Sequence, residues 1–336
     1  MTDSDNPEAV RWGICGTGRI AQKMVGELAA IADARVVSVA SRSADRAAEF
    51  AADHGIPRSH SSYEALAADD EVDVVYVATT QEGHHDTVVM MLEGGRAVLC
   101  EKPLAMNAAQ VASMCDVASR EGKFLMEAMW SRFSDAWRTA RSLIEGGRIG
   151  QPALLRADLS LSVPQEMRAT HRLMDPARGG GALMDVGVYP LNLAVFLFGQ
   201  PLEVAASGVL PTESLDLRAS ALLQHGAGVT SLVSTGIDFE GGADARISGT
   251  EGAVMIEPRM HASGALVLES GGATERIECE PPGLGIQVPE VHRCIRSDLL
   301  ESPVMSWDES LAMHRLTDRI RAEIGLSFDA DGSNPA

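Results

Sequence analysis

Two hydrophobic periods divide the chain. Up to about residue 130, short apolar runs alternate with stretches of helical spacing. "VRWGICGTGRIAQKMVGELAAI" passes from a short apolar strand into a helical pattern, and Arg35 to Ala40 forms a second strand behind it. "VDVVYVATT", Val72 to Thr80, is almost continuously apolar, as a parallel strand buried on both faces should be. A helix around Asp86 to Glu93 then leads to the strand end in "RAVLCEKP". Alternating strand and helix predicts a doubly wound α/β sheet, whose ligands lie beyond the carboxyl ends of the strands.

After about residue 150 the period becomes two. In "ALLRADLSLS", Leu155, Ala157, Leu159 and Leu161 fall on one face, and Arg156, Asp158, Ser160 and Ser162 on the other. "LDLRASALL" repeats this around Leu217 and Ala219. Further strands are predicted at 204–210, 229–237, 243–248, 253–257, 266–269 and 275–279, with helices near 181–198, 289–300 and 309–324. Short Gly-rich links point to a largely antiparallel sheet with one covered face. The expected organisation is a Rossmann-type domain at 1–132, a second α/β domain at 133–328 and a disordered tail at 329–336.

Composition narrows the function. The 336 residues are 45% hydrophobic and 22% charged, and carry a net charge of −19. Such an excess of acid argues against nucleic acid and against an anionic membrane surface, since both need clustered Lys and Arg. The opening "MTDSDNPEAV" is too acidic and polar for a signal peptide. The longest apolar tract, 181–199, is interrupted by Asp185, Tyr189 and Asn192 and reads as a buried helix. Five cysteines without a C-x-x-C spacing fit a reducing cytoplasm. The histidines are scattered and suggest no metal site.

The first chemical signal is Gly16-Thr17-Gly18-Arg19-Ile20-Ala21, a G-x-G-x-x-A stretch between strand and helix. Gly16 permits a tight turn, Gly18 lets a pyrophosphate approach the backbone, and Ala21 allows close helix–strand packing. The end of the second strand selects the nucleotide. An NAD site usually carries Asp or Glu there, whereas this chain has Ser41-Arg42-Ser43. Arg42 can pair with a 2′-phosphate, with Arg19 as a second cation, so NADP(H) is favoured and NAD(H) is left open.

Lysine is scarce, three against twenty-five arginines, yet Lys102 stands at a strand end in Glu101-Lys102-Pro103. A further signal lies in "RLMDPARGGGALMDVGVYPLNLAVFLFG". Asp185 and Tyr189 are four apart and share a helix face, and the glycines at 179–181 permit a tight bend. On spacing alone, a buried tyrosine ring with a satisfied hydroxyl and an Asp favouring the helix dipole account for the pair.

Taken together, the G-x-G-x-x-A stretch, "VLCEKPLAMN", "FLMEAMWSRF" and "GGGALMDVGVYP" resemble the glucose–fructose oxidoreductase/inositol dehydrogenase/MocA (Gfo/Idh/MocA) family from Val10 to about Leu326. Within it they look most like the branch of dimeric dihydrodiol dehydrogenases and NADP-dependent D-xylose dehydrogenases. The resemblance implies an NADP(H)-dependent oxidoreductase acting on a sugar, polyol or cyclic trans-diol, a C-terminal domain with a large, mostly antiparallel open sheet, and a homodimer or homotetramer formed through that sheet. It further implies a cis Lys102-Pro103 bond, Lys102 as the catalytic lysine, and Glu101 beside the nicotinamide ribose. Asp185 takes the place of the substrate-binding acid and Tyr189 that of the acid/base, while Trp130, Arg132 and Arg172 line the substrate pocket. Ala78, Thr79 and His84 fall on the cofactor side. Two departures stand out: Ala78-Thr79-Thr80-Gln81 replaces the family's usual A-T-P-N, and Arg178 precedes the glycines. A non-catalytic NADP(H)-sensing regulator and an aldose–ketose oxidoreductase with permanently bound NADP remain the alternatives. Whether Tyr189 or Lys102 carries the proton is left open.

Overall fold

A computed structural model describes residues 9–332. The chain divides into two units. The first comprises residues 9–105, Ala109–Met129 and Gly283–Ser310; the second comprises Met106–Ala108, Trp130–Pro282 and residues 311–332. Residues 283–310, expected in the second domain, therefore fold with the first. His292 shows how: its Nε2 accepts the buried Trp12 indole N–H at 3.0 Å, which ties this late segment to the first strand.

In the first unit, β1 (Val10–Cys15), β2 (Ala34–Ala40), β3 (Arg58–His60), β4 (Val74–Val77), β5 (Ala97–Cys100) and β6 (Leu125–Glu127) form one sheet of order β3-β2-β1-β4-β5-β6. Every pair is parallel. β4 and β5 are buried along their whole length, which is why their sequences run apolar without alternation. The order steps outward on both sides of β1, so the loop after β1 sits at the switch point where such sheets bind ligands.

The second unit holds eight strands: β7 (Pro152–Ser160), β8 (Glu203–Val209), β9 (Arg218–Gln224), β10 (Thr230–Gly236), β11 (Ala245–Gly249), β12 (Gly252–Ile256), β13 (Ala265–Ser270) and β14 (Ala273–Glu278). Their order is β14-β13-β12-β11-β7-β10-β9-β8. The sheet is antiparallel except for β7 and β10, which run parallel. The predicted alternation is present: Leu155, Ala157 and Leu159 are buried and pack with helix Val188–Phe198 and other covering elements. Leu161, expected on the same face, lies one residue past β7 and is exposed. The apolar helix is interrupted too, because Leu183–Gly187 is a π-helical turn and the α-helix begins only at Val188.

The expected tail is structured at its start. Asp329–Asp331 forms a 3₁₀ turn, and Arg321 donates to Asp331 at 3.0 Å, as Phe328 N does at 2.9 Å. An ion pair to the buried Arg321 and a backbone bond tie down a terminus that would otherwise fray. Residues 333–336 lie outside the described residues.

Candidate active site

Within the first unit, three structures converge on the carboxyl ends of the strands. After β1 the chain turns at Gly16, whose φ is 105°; a Cβ there would lie 2.8 Å from the Ala78 carbonyl oxygen, so only glycine fits. Gly18 is different. Its backbone is extended, at φ −81° and ψ 176°, and a Cβ would meet nothing within 4 Å among the described residues. Neither strain nor packing within the protein requires glycine at this position, whereas a ligand pressed against the backbone would. The helix Arg19–Leu28 starts there with no side-chain cap and no acid in its first turn. Its first N–H groups and dipole end are thus available to a phosphate, and the cradle fits a dinucleotide.

Arg42 is exposed at the end of β2, with the Tyr63 hydroxyl near it. Burial pushes the Tyr63 phenol upward, and the guanidinium partly opposes this. The Ser41 hydroxyl accepts from Ser43 N at 3.3 Å, and the Ser43 hydroxyl accepts from Arg46 N to cap the next helix; both bonds use the oxygen, so each O–H can still donate to a phosphate.

Beyond β5 the chain makes the Glu101-Lys102-Pro103 turn, and the Lys102-Pro103 bond is cis, as the resemblance implied. The turn is held from three sides. The buried Tyr76 hydroxyl donates to Glu101. The backbone N–H of Leu104 donates to Glu127 Oε1 at 3.1 Å. His84 lies with Nδ1 2.9 Å from Pro103 O and Nε2 3.2 Å from Thr79 O. Both partners are carbonyls that only accept, and burial pushes the imidazole down to about 4. The neutral ring has one N–H, so it donates to one carbonyl at a time. His84 is therefore a buried brace on the lysine turn.

Within the second unit, Asp185 sits in the π-helical turn and both its oxygens take Arg172 Nη2, at 3.0 and 2.9 Å. Four residues on, Tyr189 receives the Trp130 indole N–H at 3.2 Å. Arg132, expected to line the pocket, is 1% exposed and turned inward: its Nε donates to Asn192 Oδ1 at 2.9 Å, and its guanidinium lies 5.9 Å from the Phe196 ring centre. Arg178 is exposed and paired with Asp175 at 3.2 Å. Four contributors are absent from the sequence reading. They are Tyr63 beside Arg42, Glu127 under the lysine turn, His261 against Tyr189, and Asp216, which accepts from Leu183 N at 2.8 Å where the π-helical turn begins. Only Glu127 carried a signal, an acid inside the apolar run Phe124–Met129.

Residues 10–129 match the model of the oxidoreductase family with an NAD-binding Rossmann fold, and residues 137–255 match the GFO/IDH/MocA C-terminal domain. The mouse trans-1,2-dihydrobenzene-1,2-diol dehydrogenase is 35% identical over 339 residues, covering 96% of this chain and 99% of that one. The Xenopus tropicalis protein of the same name is 32% identical, over 95% and 99%. Among solved structures, the 3-ketoreductase KijD10 of Actinomadura kijaniata, crystallised with NADP and TDP-benzene, is 25% identical with a TM-score of 0.85, covering 94% of this chain and 98% of that one. The aldose–aldose oxidoreductase of Caulobacter crescentus shares the fold at a TM-score of 0.85 and 24% identity, over 94% and 97%. The glycine cradle, the Glu-Lys-Pro turn, the two domain matches and the relatives matched over almost their whole length agree: the chain belongs to the Gfo/Idh/MocA family of NAD(P)-dependent oxidoreductases acting on CH–OH groups.

Proposed function

We propose that the protein moves a hydride between NADP(H) and a secondary alcohol or carbonyl, or a hemiacetal, of a sugar, polyol or cyclic trans-diol. The observation that carries this reading is the pairing, in one sheet, of an uncapped glycine cradle after β1 with a lysine on a braced turn after β5. The names of the relatives support a diol or sugar, and the NADP-bound neighbour supports the nucleotide. When bound, the nicotinamide supplies the hydride acceptor or donor. Gly16, Thr17, Gly18, Arg19 and Ile20 would hold the pyrophosphate, Ser41 and Arg42 the 2′-phosphate, and Ala78, Thr79 and Glu101 the nicotinamide side, with His84 bracing the lysine turn from behind.

Removing a hydride from carbon leaves a positive carbon centre unless the hydroxyl loses its proton. Lys102 polarises that oxygen, and Tyr189 takes the proton, returning it in the reverse direction. A phenol is a poor base in water, because its ordinary pKa is about 10. Positive groups around a substrate oxygen favour the phenolate. Asp185, fixed by Arg172, accepts from a neighbouring substrate hydroxyl.

Steady-state turnover of NADP(H) with a panel of aldoses, polyols and trans-diols tests the assignment. Lys102→Met and Tyr189→Phe are each expected to lower kcat at least about 100-fold, the usual contribution of a positioned acid/base group. Near-full activity in both would rule the roles out. Five free thiols support a reducing, cytoplasmic setting. Self-association through the second sheet is supported by its bare face, where Leu222 and Leu232 are 44% and 41% exposed and pair across β9 and β10. Leu232→Glu should then shift the light-scattering mass to the monomer value, and an unchanged mass would exclude that face.

A further inference from the structure

Three rings from distant parts of the second unit meet around one hydroxyl. Trp130 comes from the 3₁₀ turn Trp130–Phe133, Tyr189 from the helix Val188–Phe198, and His261 from the turn Met260–Ala262. The indole N–H of Trp130 donates to the Tyr189 hydroxyl at 3.2 Å. The imidazole of His261 packs on the phenol with centroids 4.8 Å apart and planes tilted by 38°. Trp130 stands edge-on to both, at 6.1 Å and 76° to Tyr189 and at 5.8 Å and 80° to His261. The segment that carries Trp130 also fixes the histidine turn. Ser131 Oγ donates to His261 O at 2.9 Å, and Trp137 Nε1 donates to the buried carbonyl of Met260 at 2.7 Å.

An indole N–H can only donate. The phenol oxygen therefore accepts from Trp130, and its own proton must go to a different acceptor. When that proton leaves, the indole bond remains and strengthens, because a hydrogen bond to an ionised oxygen is stronger than one to a neutral oxygen. The contact thus favours the form of Tyr189 that can take a proton. Edge-on and offset packing of the two other rings restricts the plane in which the phenol lies.

We propose that Trp130 and His261 are positioning residues that act through Tyr189, Trp130 by fixing one lone pair of its hydroxyl and His261 by holding its ring. The inference rests on Tyr189 being the acid/base group. It differs from a pocket-lining role in a measurable way. A wall residue contributes to substrate binding and changes KM, whereas a residue acting through the phenol changes kcat.

Steady-state kinetics of Trp130→Phe, Tyr189→Phe and the double variant form the test. Trp130→Phe is expected to lower kcat by about 10- to 100-fold, the range for losing a bond to a charged group, with KM little changed. In the Tyr189→Phe background the same substitution should cost nothing more, because the group it acts through is gone. Losses that multiply, or a raised KM with kcat intact, overturn the inference and leave the role of Tyr189 standing. Wild-type kcat in Tyr189→Phe alone overturns both. For the other ring, His261→Phe should keep kcat while His261→Ala loses up to about 100-fold through misorientation. Equal losses in the two would overturn the packing role.

Discussion

Arg42 lies exposed at the carboxyl end of β2, flanked by Ser41 and Ser43 and near the Tyr63 hydroxyl. A guanidinium there can form charge-assisted bonds to a 2′-phosphate, and nothing comparable to a ribose 2′-hydroxyl. Such bonds contribute roughly 1.5–3 kcal/mol, about a 10- to 100-fold change in affinity. Arg42→Ala should therefore raise KM for NADP(H) by that factor and leave KM for NAD(H) nearly unchanged. Equal changes for the two nucleotides would take Arg42 out of the phosphate site. Arg42 was legible because it follows its strand directly, so the sequence places it. Tyr63 was not, since its approach to Arg42 depends on β3 pairing beside β2.

The turn that carries Asp185 shows where local pattern stops informing. Three glycines predicted a tight bend, and the bend is there: a Cβ on Gly180 would lie 2.7 to 2.8 Å from the carbonyl oxygens of Asp175, Arg172 and Leu173. Helical periodicity then predicted one continuous helix. The π-helical turn at Leu183–Gly187 depends instead on Asp216, whose carboxylate takes Leu183 N and whose carbonyl takes Ala182 N at 3.0 Å. Hydrophobic spacing does not register an anchor that far along the chain. The same holds for His261, which sits in a turn with no period to read. Gly181 has φ 125°, and a Cβ there would lie 2.3 Å from Asp216 Oδ1. Gly181→Ala should thus push the anchor away as well as strain the backbone, at about 1–3 kcal/mol. A lowered melting temperature together with a raised KM for the diol or sugar is expected, since Asp185 rides on the displaced turn. A loss of stability with KM intact would detach the anchor from the site.

Across the whole molecule, two buried groups pull the acid response in opposite directions. His84 is held near 4 by burial, below its ordinary 6.5. Between those values the unfolded chain binds the proton and the folded chain does not, so stability falls as pH drops from 6.5 to 4. The span of about 2.5 units corresponds to about 3 kcal/mol. His225 and His292, also lowered by burial, act with the same sign. Asp216 is raised to about 6 from 3.8, again by burial, so its folded form binds the proton first. Its contribution is fully present below 3.8 and is lost as pH rises through 6, again about 3 kcal/mol. The carboxylates held low by partners, such as Asp69 and Asp238, respond mainly below pH 4 and stay out of this window. Over pH 6.5 to 4 the wild type should therefore lose stability only gently, the histidines outweighing one aspartate. Asp216→Asn removes the opposing contribution and should steepen the loss by up to about 3 kcal/mol, while His84→Gln should flatten it by a similar amount. Because each variant is compared with itself across pH, any constant change from the substitution drops out of the denaturation curves. Parallel curves for wild type and both variants would mean that neither group titrates in this window. A steeper His84→Gln curve would mean that the imidazole is charged in the folded protein, donating to the Pro103 and Thr79 carbonyls together, and the brace on the lysine turn would then be a cation.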